Sequence, residues 1–131
     1  GFTYEGSLGE YFLSHPDIRT AAGSRFYSVN ETYFEQFAPA VQHYIQRCRT
    51  RGMAARYIGS LVGDFHRNML KGGIYLYPAT AKAPAGKLRL LYEAYPLAML
   101  AEQSGGGATN GQRAILDVAP DALHQRTPLF I

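Results

Sequence analysis

The stretch ARYIGSLVGDFHRNMLKGGIYLYP, residues 55–78, changes its periodicity twice, and the fold turns on how it is read. "ARYIGS" is extended chain ending at Ser60, a residue type suited to a helix N-terminus. From about Ser60 to Lys71 the pattern is helical, with Leu61, Val62, Phe65 and Met69 forming an apolar face. Gly72 and Gly73 stop the helix, one of them as a left-handed cap. "IYLYP" then returns to period two, so that Ile74 and Leu76 share one face of a strand while Tyr75 and Tyr77 share the other. Extended chain, helix and strand in immediate succession belong to layered α/β architectures.

The flanking segments agree. Upstream, "FTYE" and "EYFLS" read as two short strands joined by the Gly/Ser turn GSLG, and "SRFYSV" (24–29) as a third. Asn30 sits where a helix cap belongs, ahead of the short helical segment "ETYFEQF". Pro39 suits the first turn of a helix "PAVQHYIQRCR", whose Val41, Tyr44, Ile45 and Cys48 recur at helical spacing. Downstream, "ATAKAPAG" is a loop, and "KLRLLYE" leads to a helix opened by Pro96 and running to about Gln103. "TNGQ" is a hairpin turn, and "RAILDV" and "TPLFI" are the last strands. The chain of 131 residues is therefore expected to form one domain, a three-layer α/β/α arrangement around a mixed, mostly parallel sheet. It starts inside one strand and stops at Ile131 in another that reads as buried, so a part of a larger protein is expected.

Composition narrows the partners. No stretch approaches 18 apolar residues, so no membrane-spanning helix is expected, and the N-terminal residues lack the pattern of a signal peptide. Cys48 is the one cysteine. That excludes an internal disulfide and any zinc site using two cysteines of the chain, and it fits a reducing compartment. The net charge is +3, with far more arginine than lysine, which favours an anionic partner without choosing between nucleic acid and small phosphates.

Several residues suit phosphate and metal chemistry. Lys87 offers three donors, and Glu93, near the start of the helix at Pro96, can face a cation. Spacing alone favours a surface ion pair among Lys87, Arg89 and Glu93. Tyr75 and Tyr77 on one strand face are more often half-buried packing. Arg56 and Tyr57 precede a helix N-terminus, where free N–H groups hold anions, yet a solvated arginine and a core tyrosine are the simpler reading. Asn30 with Tyr33 is likewise a cap plus a core aromatic. Arg47, Arg49 and Arg51 lack the interleaved aromatics or signatures of a nucleic-acid module and read as a solvated helix end. Cys48 reads as packing, the four histidines show no ligand spacing, and Asp117 and Asp121 are loop caps. Joint appearance, rather than any one residue, points to a pocket for a phosphorylated sugar with a metal at one edge.

Over nearly its whole length the chain resembles the C-terminal half of class I fructose-1,6-bisphosphatases. The resemblance rests on "YSVNETY", "YIQR", "ARYIGSLVGDFHRNMLKGGIYLYPATAKAPAGKLRLLYE" and "ILDVAPDALHQRTP". It implies that Asn30, Tyr33, Tyr57 and Tyr77 contact the 6-phosphate of the sugar, that Arg56 reaches the same phosphate in a neighbouring subunit, and that Lys87 holds the sugar ring. Tyr75, Leu76 and Arg89 join this substrate-binding set, and Glu93 becomes a ligand of Mg2+. It further implies a cytoplasmic homotetramer acting in gluconeogenesis or in carbon fixation by the Calvin cycle. The family's Asp-Pro-Leu-Asp-Gly-Ser metal motif, its upstream metal-binding glutamate, its AMP site and its final helix have no counterpart in these residues. The expectation is thus the substrate-binding half, with a missing N-terminal half and no complete catalytic set. Alternatives from the sequence are a non-catalytic sugar-phosphate binding module, the corresponding half of a sedoheptulose-1,7-bisphosphatase, or, more weakly, a nucleic-acid module.

Overall fold

The computed structural model describes residues 1–23 and 25–131. Its centre is a four-stranded sheet in the order β4 (Ala54–Ala55), β3 (Phe26–Ser28), β5 (Gly73–Tyr77), β8 (Leu129–Phe130). β3 pairs in parallel with both β4 and β5, and β8 closes the edge antiparallel. The sheet is therefore mixed and mostly parallel, and the fold is α/β as the periodicity indicates. The expected third strand begins at Ser24, which lies outside the described residues.

The helices follow from the order of crossovers. The chain leaves β3 through a 3-10 turn (Glu31–Gln36) and helix α1 (Pro39–Thr50) to reach β4, then returns through helix α2 (Leu61–Lys71) past β3 to β5. Right-handed crossovers in opposite directions along a sheet place their helices on opposite faces. The packing agrees. Ile45 and Cys48 of α1 meet Tyr27 and Leu76 on one face, whereas Asn68 of α2 bonds Ser28 on the other. Phe65 of α2 also packs with Leu97 and Ala101 of helix α3 (Tyr95–Gln103). Ser60 caps α2, accepting from the Gly63 N–H, and Gly72 ends it.

Three local expectations need correction. On α2, Val62 is 67% exposed, while Asp64, Phe65 and Asn68 are buried, so the inward stripe is partly polar. The segment "RAILDV" is not a strand. A single bridge, Thr109 to Ala114, closes the Asn110 turn, and Ile115–Asp117 then form a 3-10 turn that drives Ile115 into the core. "TPLFI" is broken by Pro128, which has no N–H for a ladder. β7 (Arg126–Thr127) accordingly pairs with β6 (Leu88–Arg89), and β8 pairs with β5. Between β6 and α3 lies a π-helical turn, Leu90–Ala94, in which the Tyr95 N–H reaches back to the Leu90 carbonyl. At the other end, β1 (Phe2–Glu5) and β2 (Glu10–Leu13) form the expected hairpin, with every residue of both strands exposed.

Candidate functional site

In an open α/β sheet, ligands bind beyond the carboxyl ends of the parallel strands where the winding changes direction. Here that point lies at the ends of β3, β4 and β5. Val29 and Asn30 follow β3, Tyr57 follows β4, and Tyr77 and Pro78 stand at the end of β5; all five line one concavity. Tyr33, Phe37, Leu76, Thr80 and Lys87 complete its wall.

Local structure aims the polar groups. Asn30 caps the 3-10 turn, its Oδ1 accepting from the Thr32 N–H at 3.1 Å, which leaves the donor end of the amide for a ligand. That turn carries Tyr33, and the Lys87 ammonium stands 5.4 Å from the Tyr33 ring centroid. β4 is held in register by the Arg56 N–H donating to the Tyr27 carbonyl at 2.9 Å, and the next residue is Tyr57. Tyr77 stacks on Tyr75 with ring centroids 6.2 Å apart. Burial, and then proximity to Tyr77, Asp64 and Tyr33, pushes the Tyr57 hydroxyl above its ordinary pKa. Three phenols, one amide and one ammonium converge with no carboxylate in the lining. Such a set is suited to an anion rich in oxygen, with an apolar floor of Val29, Phe37 and Leu76 for the rest of the ligand.

Of the residues singled out in the sequence, Asn30, Tyr33, Tyr57, Leu76, Tyr77 and Lys87 come together here. Four others stand elsewhere. Tyr75 is 1% exposed, its hydroxyl pushed far up by burial, and it serves as the platform beneath Tyr77 rather than as lining. Arg56 turns away: its guanidinium donates to the Ala55 carbonyl at 3.0 Å and lies 5.9 Å from the Phe26 ring centroid. The Arg89 guanidinium is 4.0 Å from Glu93, whose Oε2 accepts from the Arg89 backbone N–H at 2.7 Å. The ion pair left open by the sequence thus joins Arg89 to Glu93 and leaves Lys87 in the pocket.

Metal chemistry finds little support within these residues. Among the described residues no three His, Cys, Asp or Glu side chains stand close enough together to hold an ion. Mg2+ favours six near-octahedral oxygens, and Glu93 alone does not meet that demand. Lining residues that the sequence did not single out are Val29, beside Asn30, together with Phe37, Pro78 and Thr80. Pro78 and Thr80 follow β5 directly, so their place beyond a strand end was available as a signal. Phe37 carried none. The remaining arginines behave as a helix end: Arg49 pairs with Glu31 and lies over the Phe34 ring. Burial raises the pKa of the Cys48 thiol, as befits packing.

Comparison with known sequences follows the same lines. Residues 20–131 match the family described as fructose-1-6-bisphosphatase, C-terminal domain. A class 1 fructose-1,6-bisphosphatase of Synechococcus sp. is 56% identical over 132 residues, covering 100% of this chain and 40% of the relative. The class 1 enzymes of Salinibacter ruber and Chloroherpeton thalassium are each 53% identical over 137 residues, again covering 100% of this chain and 38% and 39% of the relatives. The chain spans about two fifths of the length of the curated relatives it matches. On the family match and these identities, the chain belongs to the class 1 fructose-1,6-bisphosphatase family, to the part described as its C-terminal domain.

Proposed function

We propose that this chain is the sugar-phosphate-binding part of a fructose-1,6-bisphosphatase, an enzyme that hydrolyses the 1-phosphate of fructose 1,6-bisphosphate to give fructose 6-phosphate and phosphate. The observation that carries the reading is the convergence of Asn30, Tyr33, Tyr57, Tyr77 and Lys87 beyond the strand ends, without a carboxylate to repel an anion. Neutral hydroxyls and an amide grip the 6-phosphate oxygens through hydrogen bonds, and the Lys87 ammonium adds the charge-assisted bond. The grip fixes the far end of the substrate, and so orients the end that reacts.

Bound Mg2+ supplies Lewis-acid charge and lowers the pKa of a coordinated water. Glu93 is proposed as one of its carboxylates, the others coming from residues beyond this chain. A homo-oligomer fits the outward-facing Arg56, whose fork is then available to a neighbouring subunit. A cytoplasmic setting and a role in gluconeogenesis or carbon fixation belong to the same proposal. No helix among the described residues is long and apolar enough to cross a membrane.

Calorimetric titration with fructose 6-phosphate tests the reading. Tyr77→Phe is expected to weaken binding by about 1 kcal/mol and Lys87→Ala by about 1.5–3 kcal/mol, as for neutral and charged hydrogen bonds. Unchanged affinity in both variants would refute the assignment.

A further inference from the structure

Tyr57 has no regular secondary structure of its own, yet its backbone is held on both sides by one ion pair on α2. Asp64 is completely buried, and its two carboxylate oxygens lie 3.1 and 3.3 Å from the Ile58 N–H. The Arg67 Nη1 stands 2.8 Å from Asp64 Oδ1. The Arg67 Nη2 donates to the Arg56 carbonyl at 2.9 Å and to Ser28 Oγ at 2.7 Å. The Arg56 carbonyl belongs to the peptide before Tyr57, and the Ile58 N–H to the peptide after it. Both peptide planes that set the direction of the Tyr57 Cα–Cβ bond are therefore gripped by residues three apart on one helix.

The same guanidinium ties two strand ends together. Ser28 is completely buried in β3, two residues before Asn30, and it also accepts from Asn68 Nδ2 at 3.0 Å. Arg67 thus spans from the strand that delivers Asn30 to the segment that delivers Tyr57. An ion pair built on a fully buried carboxylate is a poor way to gain stability, since desolvation offsets much of its attraction. Holding a geometry is a better account of this one.

We propose that Asp64 and Arg67 are positioning residues for the sugar-phosphate pocket: they touch no ligand and act by fixing Tyr57 and its spacing from Asn30. This rests on the reading of Tyr57 as a ligand contact given above. The decisive experiment is a double-mutant cycle of Arg67→Lys with Tyr57→Phe, read as fructose 6-phosphate affinity. Lysine keeps the charge but has a single nitrogen, whereas the guanidinium reaches Asp64 through Nη1 while Nη2 serves the Arg56 carbonyl and Ser28. Alone, Arg67→Lys is expected to weaken binding about fivefold, and by less than about twofold in the Tyr57→Phe background, the non-additivity of residues acting through one another. Asp64→Asn, which keeps an acceptor for the Ile58 N–H but removes the ion pair, is expected to repeat the pattern and serves if Arg67→Lys does not fold. Hydrogen exchange of the Ile58 amide should quicken in either variant, while amides in α1 keep their protection. Equal losses in both backgrounds, or an Ile58 amide no faster than in the parent, overturn the proposal alone. Full affinity in Tyr57→Phe itself overturns the reading of Tyr57, and the proposal with it.

Discussion

Replacing Gly86 with alanine should be among the most damaging single methyl additions to this chain, and the reason is geometric. Gly86 has φ +79°, a left-handed conformation that costs an L-residue about 1–2 kcal/mol. A Cβ there would also lie 2.3 Å from the Thr127 carbonyl carbon and 2.4 Å from both the Thr127 oxygen and the Pro128 nitrogen. All three are backbone atoms at the junction of β7 and β8, so no side chain can swing away. Overpacking of this kind adds about 1–3 kcal/mol, and the stiffer unfolded chain makes a Gly→Ala exchange recover only about 0.4–1 kcal/mol where the native conformation allows it. A net loss of about 2–4 kcal/mol follows, a large share of the about 5–15 kcal/mol typical of a whole domain. Gly105 is the control: its φ is +83°, but nothing lies within 4 Å of its Cβ position. Gly105→Ala should cost only the conformational part, about 1–2 kcal/mol. Urea denaturation followed by circular dichroism compares the two. Because Gly86 directly precedes Lys87, a Gly86→Ala chain that still folds should also bind fructose 6-phosphate less well. Equal denaturation midpoints for the two variants would refute the steric argument.

Two further expectations concern pH and metal. Burial raises the folded-state pKa of Tyr75 and Tyr57 above the ordinary tyrosine value of about 10, so the stability each contributes is complete below that pH and is lost as pH rises toward the folded value. Urea midpoints should therefore fall between about pH 9 and about pH 11, and Tyr75→Phe should flatten the fall; the same slope in both proteins would count against it. For the metal, the chain can be exchanged for the corresponding segment of the Synechococcus relative, to which it is 56% identical. The chimera should hydrolyse fructose 1,6-bisphosphate only with Mg2+ and should lose at least about tenfold in activity on Glu93→Gln, as for removal of a metal-binding charge; full activity in that variant would remove Glu93 from the metal site.

Legibility in the sequence followed the strength of local rules. The pleat of β5 was readable because a strand alternates strictly, and Tyr75 and Tyr77 do share a face with stacked rings. The caps Asn30 and Ser60 were readable because each side chain serves a nearby N–H. Which of the two tyrosines would be accessible was not, since that depends on α2 packing against the strand. The face of α2 misled for a related reason: Asp64 points inward to the Ile58 N–H of the segment just before the helix, and Asn68 to Ser28 of a distant strand. No periodicity of apolar residues announces a buried polar stripe. Ile115 failed differently, as its β-branched neighbourhood suits a strand, but the chain turns there to fill the core with one side chain. Of the site, the pocket residues were named largely through the family resemblance, while the outward course of Arg56 and the partnership of Glu93 with Arg89 needed the fold.

The π-helical turn at Leu90–Ala94 has a consequence for insertions and deletions. Such a turn holds one residue more than an α-turn between the same two carbonyl and amide partners. Loss of a single residue from 90–94 would let the Tyr95 N–H bond a carbonyl four positions back, and the segment would run into α3 as ordinary helix. Backbone hydrogen bonding would survive a deletion that elsewhere in a helix shifts every following side chain. Each residue of an α-helix turns by about 100° about the axis, so a deletion after Glu93 would swing its carboxylate, and the bond it receives from Arg89, around to another face relative to Ala98 and Ala101. This turn is therefore a place where the length of the chain can change with the backbone hydrogen bonding kept and the position of one carboxylate lost.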